Sequence, residues 1–274
     1  MKTQKRGRGL LRLLCVLVSM LQQCTQAYAA GATGSLILNY SGGNVEFRIY
    51  RMAESDGAGG YTPVSPYDEG DYAQVELPDR SSSNGEWLAA AETLSGYVVR
   101  DNPTPDARGT VSGGRVRFSG LEAGLYLVMG DSRSSGGYTY TPTPFLVYVG
   151  TETVEANVKM DTEDPGTDPG GDGYDYSVVK TWRGGSENRT DSVTVELYRD
   201  GALYQEVTLS DGNNWRYNWS ENVRHQWTVV EVDVPDGFTV TVDRSENTFT
   251  VTNTYDNGED PGGPDDPGNP DDPG

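Results

Sequence analysis

Cysteine, histidine and lysine are almost missing from this chain, and each shortage closes off some chemistry. Of 274 residues, two are Cys and one is His. Both cysteines, Cys15 and Cys24, fall in an N-terminal segment that reads as removed. The mature chain therefore has no thiol, no disulfide and no thiolate metal site. A single histidine, His225, with no convergent Ser/His/Asp set and no carboxylate pair that stands out, argues against a turnover enzyme, a cofactor or a metal. Positive charge is scarce as well: 21 Lys+Arg face 41 Asp+Glu, a formal net charge of −20. Five of the basic residues (Lys2, Lys5, Arg6, Arg8, Arg12) sit in the first 29 residues, which hold no acid. The surface that remains repels phosphate backbones and anionic headgroups, which excludes nucleic acid and membrane surfaces as partners.

A long apolar run is lacking too. Leu10 to Leu21 is apolar apart from Arg12 and Ser19, too short for a stable bilayer span. A basic start, this apolar centre and the small-x-small Ala27-Tyr28-Ala29 make residues 1–29 a secretory signal peptide, cut after Ala29. A lipoprotein would carry its lipid on Cys24, but Gln22 and Gln23 are large and polar where small residues are wanted. Exported proteins are free to use disulfides. This one keeps no cysteine, so any covalent reinforcement must come from other chemistry.

What the sequence does hold is Tyr (17), Thr, and two tracts of Asp, Pro and Gly. Residues 161–173 (DTEDPGTDPGGDG) and 256–274 (DNGEDPGGPDDPGNPDDPG) bury too little to fold, and proline and carboxylate repulsion extend them into spacers. The regular ligand spacing of a calcium loop is absent from both. They mark out a first module, 33–160, and a second, 174–255. In the first, strands are expected at Ser35–Tyr40, Val45–Met52, Arg115–Phe118, Gly124–Met129, Phe145–Val149 and Thr153–Met160. A helix is expected from Glu86 to Ser95, capped by Asn84 and ended by Gly96. Its stripe of Trp87, Ala91, Leu94 and Val98 would dock on the module's sheet. The second module shows seven short runs and no helix: Tyr176–Trp182, Val193–Arg199, Ala202–Leu209, Trp215–Trp219, Gln226–Asp233, Phe238–Val242 and Thr248–Tyr255. That pattern is a small β-sandwich, and the fold class is all-β.

Three residues of the second module carry chemistry. The last strand alternates strictly, with Thr248, Thr250, Thr252 and Thr254 on one face and Phe249, Val251, Asn253 and Tyr255 on the other. Asn253 is thereby placed among apolar neighbours, where a primary amide needs partners or a purpose. Beyond residue 29 there are only two lysines, Lys159 and Lys180, and Lys180 shares parity with Val178 and Trp182 in the apolar run VVKTW. Glu231, in QWTVVEVDV, shares parity with Trp227 and Val229, yet Val230 and Val232 make its other face apolar too. Glu196, the rival carboxylate, lies opposite Val193, Val195 and Leu197 and should face solvent. Buried together, Lys, Glu and Asn suit an intramolecular isopeptide bond. Desolvation favours the neutral amine and the protonated acid. The amine can then attack the amide carbon while Glu231 hydrogen-bonds the carbonyl oxygen and shuttles protons as ammonia leaves. The alternative reading is ordinary: an edge-strand lysine, a solvated glutamate and a ladder asparagine.

These residues also carry a resemblance. VVKTW at 178–182, DSVTVELYRDGALYQEVTLSDGNNWRYNW at 191–219, WTVVEVDVPDGF at 227–238 and FTVTNTY at 249–255 resemble the Cna B-type domain of Gram-positive surface adhesins and pilins. The resemblance implies a bond joining Lys180 to Asn253 with Glu231 assisting. More weakly, GRVRFSGLEAGLYLV at 114–128 and YTPTPFLVYV at 140–149 look like the prealbumin-like domains of pilin and adhesin subunits. The first module lacks the crosslink pattern. Its opening GSLILNY has no Lys, MGDSR follows GLYLV without a Glu, and Lys159 lies at its end. Two immunoglobulin- or prealbumin-like β-sandwich modules in tandem are thus expected. Such proteins end in an LPXTG-like sorting signal; none follows the spacer, and the expectation is a chain trimmed before its anchor, with sortase and the cell wall as partners. No pilin-type YPK motif occurs. The expected role is a secreted, wall-displayed structural or adhesive protein whose ligand, on the host or the cell surface, is a protein or a glycan. The alternative is a carbohydrate- or protein-binding accessory module of a secreted enzyme, with Tyr61, Tyr67, Tyr72, Tyr138 and Tyr140 as stacking platforms.

Overall fold

The computed structural model describes residues 33–163 and 173–255. The expected signal peptide, most of the first expected spacer and the second lie outside the described residues.

The first module builds eleven strands and one long helix. Strands β1 (Thr33–Asn39), β2 (Glu46–Ser55), β3 (Tyr61–Pro63) and β4 (Ala107–Thr110) are followed by β5 (Arg115–Glu122), β6 (Gly124–Gly130), β7 (Arg133–Ser135) and β8 (Tyr138–Pro142). Strands β9 (Phe145–Val149), β10 (Thr153–Asn157) and β11 (Met160–Glu163) complete it. One sheet runs β10-β1-β5, a second runs β3-β2-β6-β9 with β4 also on β2, and a small third runs β11-β8-β7. The first two sheets face each other across Leu36, Leu38, Phe47, Ile49, Phe118, Tyr126, Val128 and Val149. Each strand contributes alternate residues to this core, as the period of two dictates. Strand β11 reaches into the tract read as spacer: Asp161 and Thr162 pair with Thr141 and Tyr140 of β8.

Helix α1 spans Asn84–Asp101, longer than expected at both ends. Its cap is Ser83 rather than Asn84. The Ser83 hydroxyl accepts from the Glu86 N–H while the Glu86 carboxylate accepts from the Ser83 N–H. It ends at Asn102, whose φ of 45° and ψ of 52° supply the left-handed turn that Gly96 was expected to provide. Gly96 lies inside the helix and is buried.

The second module has the seven expected strands: β12 (Tyr174–Arg183), β13 (Ser192–Arg199), β14 (Ala202–Ser210), β15 (Arg216–Glu221), β16 (Trp227–Val232), β17 (Phe238–Ser245) and β18 (Thr248–Tyr255). Strand β15 starts after Trp215 because Asn214 and Trp215 both adopt positive φ, 56° and 55°, which ends an extended run. The sheets run β15-β12-β18-β17 and β14-β13-β16. The first and last strands, β12 and β18, lie side by side and parallel, with Trp182 opposite Asn253.

The helix corrects the expected docking. It touches β6 and β9 of its own module, but it also packs against β16 and β17 of the second. Ala91, Leu94, Tyr97 and Val98 share one continuous core with Val178, Val195, Leu197, Trp227 and Phe249. A Cβ on Gly96 would lie 3.1 Å from Val230 Cγ2, so glycine is what lets the helix approach β16. Strands β16 and β17 are the neighbouring edges of the two sheets, and α1 bonds both. The Tyr97 hydroxyl donates to the Glu231 carbonyl at 3.1 Å, and the Thr93 hydroxyl accepts from the Val242 N–H at 2.8 Å. A helix laid over open edges satisfies backbone groups that would otherwise invite another strand.

Candidate functional site

The interior of the second sandwich brings the three singled-out residues together. Lys180 comes from β12, Asn253 from the adjacent β18, and Glu231 from β16 in the facing sheet. Alternation in β12 and β18 turns the first two inward. Their side chains meet where nothing is wet: Glu231 and Asn253 are 0% exposed and Lys180 is 4% exposed. Lys180 Nζ lies 3.7 Å from Glu231 Oε2, and Asn253 Nδ2 donates to Glu231 Oε1 at 2.6 Å. Each oxygen of one carboxylate thus faces one of the other two groups. Lys180 Nζ also donates to the Thr181 carbonyl at 2.8 Å and sits 4.1 Å from the centre of the Trp182 ring.

Burial sets the protonation tendencies. Desolvation draws the Lys180 amine down to about 8, against the opposing pull of the Glu231 charge. Desolvation likewise raises the Glu231 carboxyl, opposed by Lys180 and by the hydrogen bond from Asn253. Both shifts move the pair toward a neutral amine beside a neutral acid. A buried ion pair with so few further hydrogen bonds gains little over that neutral form.

One detail differs from expectation. The amide nitrogen of Asn253, and not its oxygen, faces Glu231, and Asn253 Oδ1 has no hydrogen-bond partner. In either protonation state the carboxyl has an oxygen that accepts from this amide N–H, and when protonated its O–H can also donate to an amide oxygen turned toward it.

Other singled-out residues lie elsewhere. Glu196 is half-buried outside the core and accepts from the Tyr198 hydroxyl at 2.6 Å. His225 pairs with Asp200 at 2.6 Å on the surface, and Lys159 is exposed in the first module. Of the expected tyrosine platforms, Tyr67 and Tyr72 are core residues stacked edge-on at 5.1 Å, so they offer no surface for a sugar. Tyr138 is exposed, and Tyr61 and Tyr140 are half-buried.

Two participants escaped the sequence reading. Tyr97 and Thr93 belong to the row of the helix beside the stripe at 87, 91, 94 and 98. A wider apolar stripe that included Ala90, Thr93 and Tyr97 would have marked that row as covered.

Residues 176–254 match the family described as the Cna protein B-type domain, a match to under a third of the chain. No curated protein matches. Among solved structures, the chain is similar to a single B repeat unit (B1) of the collagen binding surface protein Cna of Staphylococcus aureus. Identity there is 16%, coverage is 82% of this chain and 97% of that one, and the TM-score is 0.28. It is also similar to the pilus backbone RrgB from Streptococcus pneumoniae, at 13% identity, 80% and 78% coverage and a TM-score of 0.28. The T6 backbone pilin of serotype M6 Streptococcus pyogenes is similar at 10% identity, 83% and 65% coverage and a TM-score of 0.32.

Proposed function

With residues 176–254 a Cna protein B-type domain, we propose that this protein is a secreted, surface-displayed structural or adhesive protein whose second module locks itself with a Lys180–Asn253 isopeptide bond. The observation that carries the reading is the dry cluster in which Glu231 meets both prospective partners at 3.7 and 2.6 Å. Lys180 Nζ, as the neutral amine, attacks Cγ of Asn253. The new N–C bond forms, the Cγ–Nδ2 bond breaks, and one proton of the attacking amine passes by way of Glu231 to Nδ2, which leaves as ammonia. Glu231 Oε1 already stands at the leaving nitrogen, where that proton is needed. Fixed geometry replaces an external enzyme, because three groups held within one packed interior react as if at very high concentration. The step happens once per chain and gives no turnover.

The locked sandwich and the acidic tract after it suit a stalk that displays the first module, docked on the sandwich through α1, and the acidic surface keeps such a stalk soluble. The B-repeat and pilin likenesses agree with a place on a Gram-positive surface, reached through the signal peptide and held by the cell wall. The ligand is a protein or glycan of a host or neighbouring surface.

Intact mass of the purified protein tests the reading. The wild-type chain is expected to fall short of its calculated mass by about 17 Da, one ammonia, and Lys180→Ala to show the full mass. A wild-type protein that is folded and at full mass would refute the bond.

A further inference from the structure

Strand β16, which carries Glu231, is paired on one side only, by β13. Its other side is met by α1, an element of the first module: Val230 lies against Gly96, and the Tyr97 hydroxyl holds the carbonyl of Glu231 itself. The same helix carries Arg100, which binds Asp71 at 2.5 Å, and Asp71 in turn accepts from the Val234 N–H at 3.3 Å, just beyond the end of β16. Two anchors, Tyr97 and Asp71, thus hold the C-terminal end of the strand that bears the proton carrier. Tyr97 is 1% exposed, so the helix that packs on β16 and β17 keeps this contact away from solvent.

We propose that α1 of the first module is a working part of the crosslinking site of the second, with Tyr97 as the positioning residue that holds Glu231 in place and keeps it dry. This rests on the isopeptide reading above and extends it. The site is then completed by a residue 134 positions away from Glu231 in the chain. The two modules must dock before the bond forms, which ties locking to correct assembly of the whole chain.

The charged and titratable groups that face Glu231 are Lys180 from β12, Asp71 from the short helical turn Gly70–Gln74 and Tyr97 on α1, with neutral Asn253 on β18; Arg100 reaches it only through Asp71, and Lys180 faces Arg189 besides Glu231. The reaction needs Lys180 neutral and Glu231 protonated. Water admitted beside Glu231 lowers its tendency to hold a proton and raises that of Lys180, so the reactive form becomes scarcer. The Glu231 limb of the pH–rate profile then moves to lower pH and the Lys180 limb to higher pH.

The experiment is cell-free synthesis of the full chain, quenched in denaturing acid at intervals and followed by intact mass from pH 5 to 10. Three chains are compared: wild type, Tyr97→Phe, which removes only the hydroxyl, and Gly96→Leu, which wedges the helix off Val230 without touching the reacting groups. Tyr97→Phe is expected to lose ammonia about fivefold more slowly, with both limbs shifted as described, and Gly96→Leu to be slower still. Variants that react at the wild-type rate would overturn the proposal. So would variants that react slowly but with unmoved limbs, since poorer folding alone scales the rate equally at every pH. A wild-type chain that never loses ammonia would instead refute the underlying bond.

Discussion

Glu231 is the residue on which the site turns, because its two oxygens face Lys180 and Asn253 at once. Removing Asn253 leaves that carboxylate with Lys180 alone and removes one end of the proposed link. Joining residues 180 and 253 closes a loop of 73 residues, worth about 4 kcal/mol by the loop-entropy model used for disulfides. Asn253→Ala is therefore expected to lose at least that much stability in guanidinium denaturation, and a midpoint equal to wild type would count against the link. The inward direction of Asn253 was legible in the sequence from the strict alternation of its strand, and that of Lys180 from its parity with Val178 and Trp182 in an apolar run. Glu231 was singled out as well, but its direction was not fixed, because Val230 and Val232 made both faces of its strand apolar. The reason is long-range: α1 covers the outer face of β16, and no local pattern encodes a helix that arrives from more than a hundred residues away.

Among elements, α1 serves two modules and is the one that most depends on its ends. The reciprocal Ser83–Glu86 bonds satisfy two backbone N–H donors at its start. Ser83→Ala is expected to cost about 1 kcal/mol in thermal or chemical denaturation, and to loosen Thr93 and Tyr97 from the edges they bond. Hydrogen exchange at Val242, whose N–H bonds Thr93, would report that loosening, and unchanged protection would refute it. The seven strands of the second module were readable to within a few residues, since each is long, apolar on one face and bounded by turn residues. In the first module β3, β4, β7 and β8 went unread. They are three to five residues long, and β7 is exposed throughout, so neither length nor alternation rises above the loops around them. The misplaced helix end has the same kind of cause. Gly96 carries the local signature of a cap, yet its lack of a side chain serves contact with Val230.

At the scale of the whole molecule, the expected pair of separate sandwiches becomes two sandwiches with a common core around α1. The all-β class and the existence of both modules were legible from composition and turn spacing; their docking was not. Because β12 and β18 are parallel neighbours, the chain enters the second module at one end and leaves it at the other. With the proposed bond in place, tension passes from β12 through residues 180 and 253 into the last residues of β18. Single-molecule pulling is expected to leave residues 181–252 unextended in wild type. In Lys180→Ala they should release about 240 Å of chain, and equal extension in both would contradict the load path. The same parallel pairing has a consequence for wear. A backbone closed between residues 180 and 253 is a ring with two tails, so a protease that cuts any hairpin between them opens the ring without severing one tail from the other. The first module would stay joined to the tract after residue 255 despite the cut.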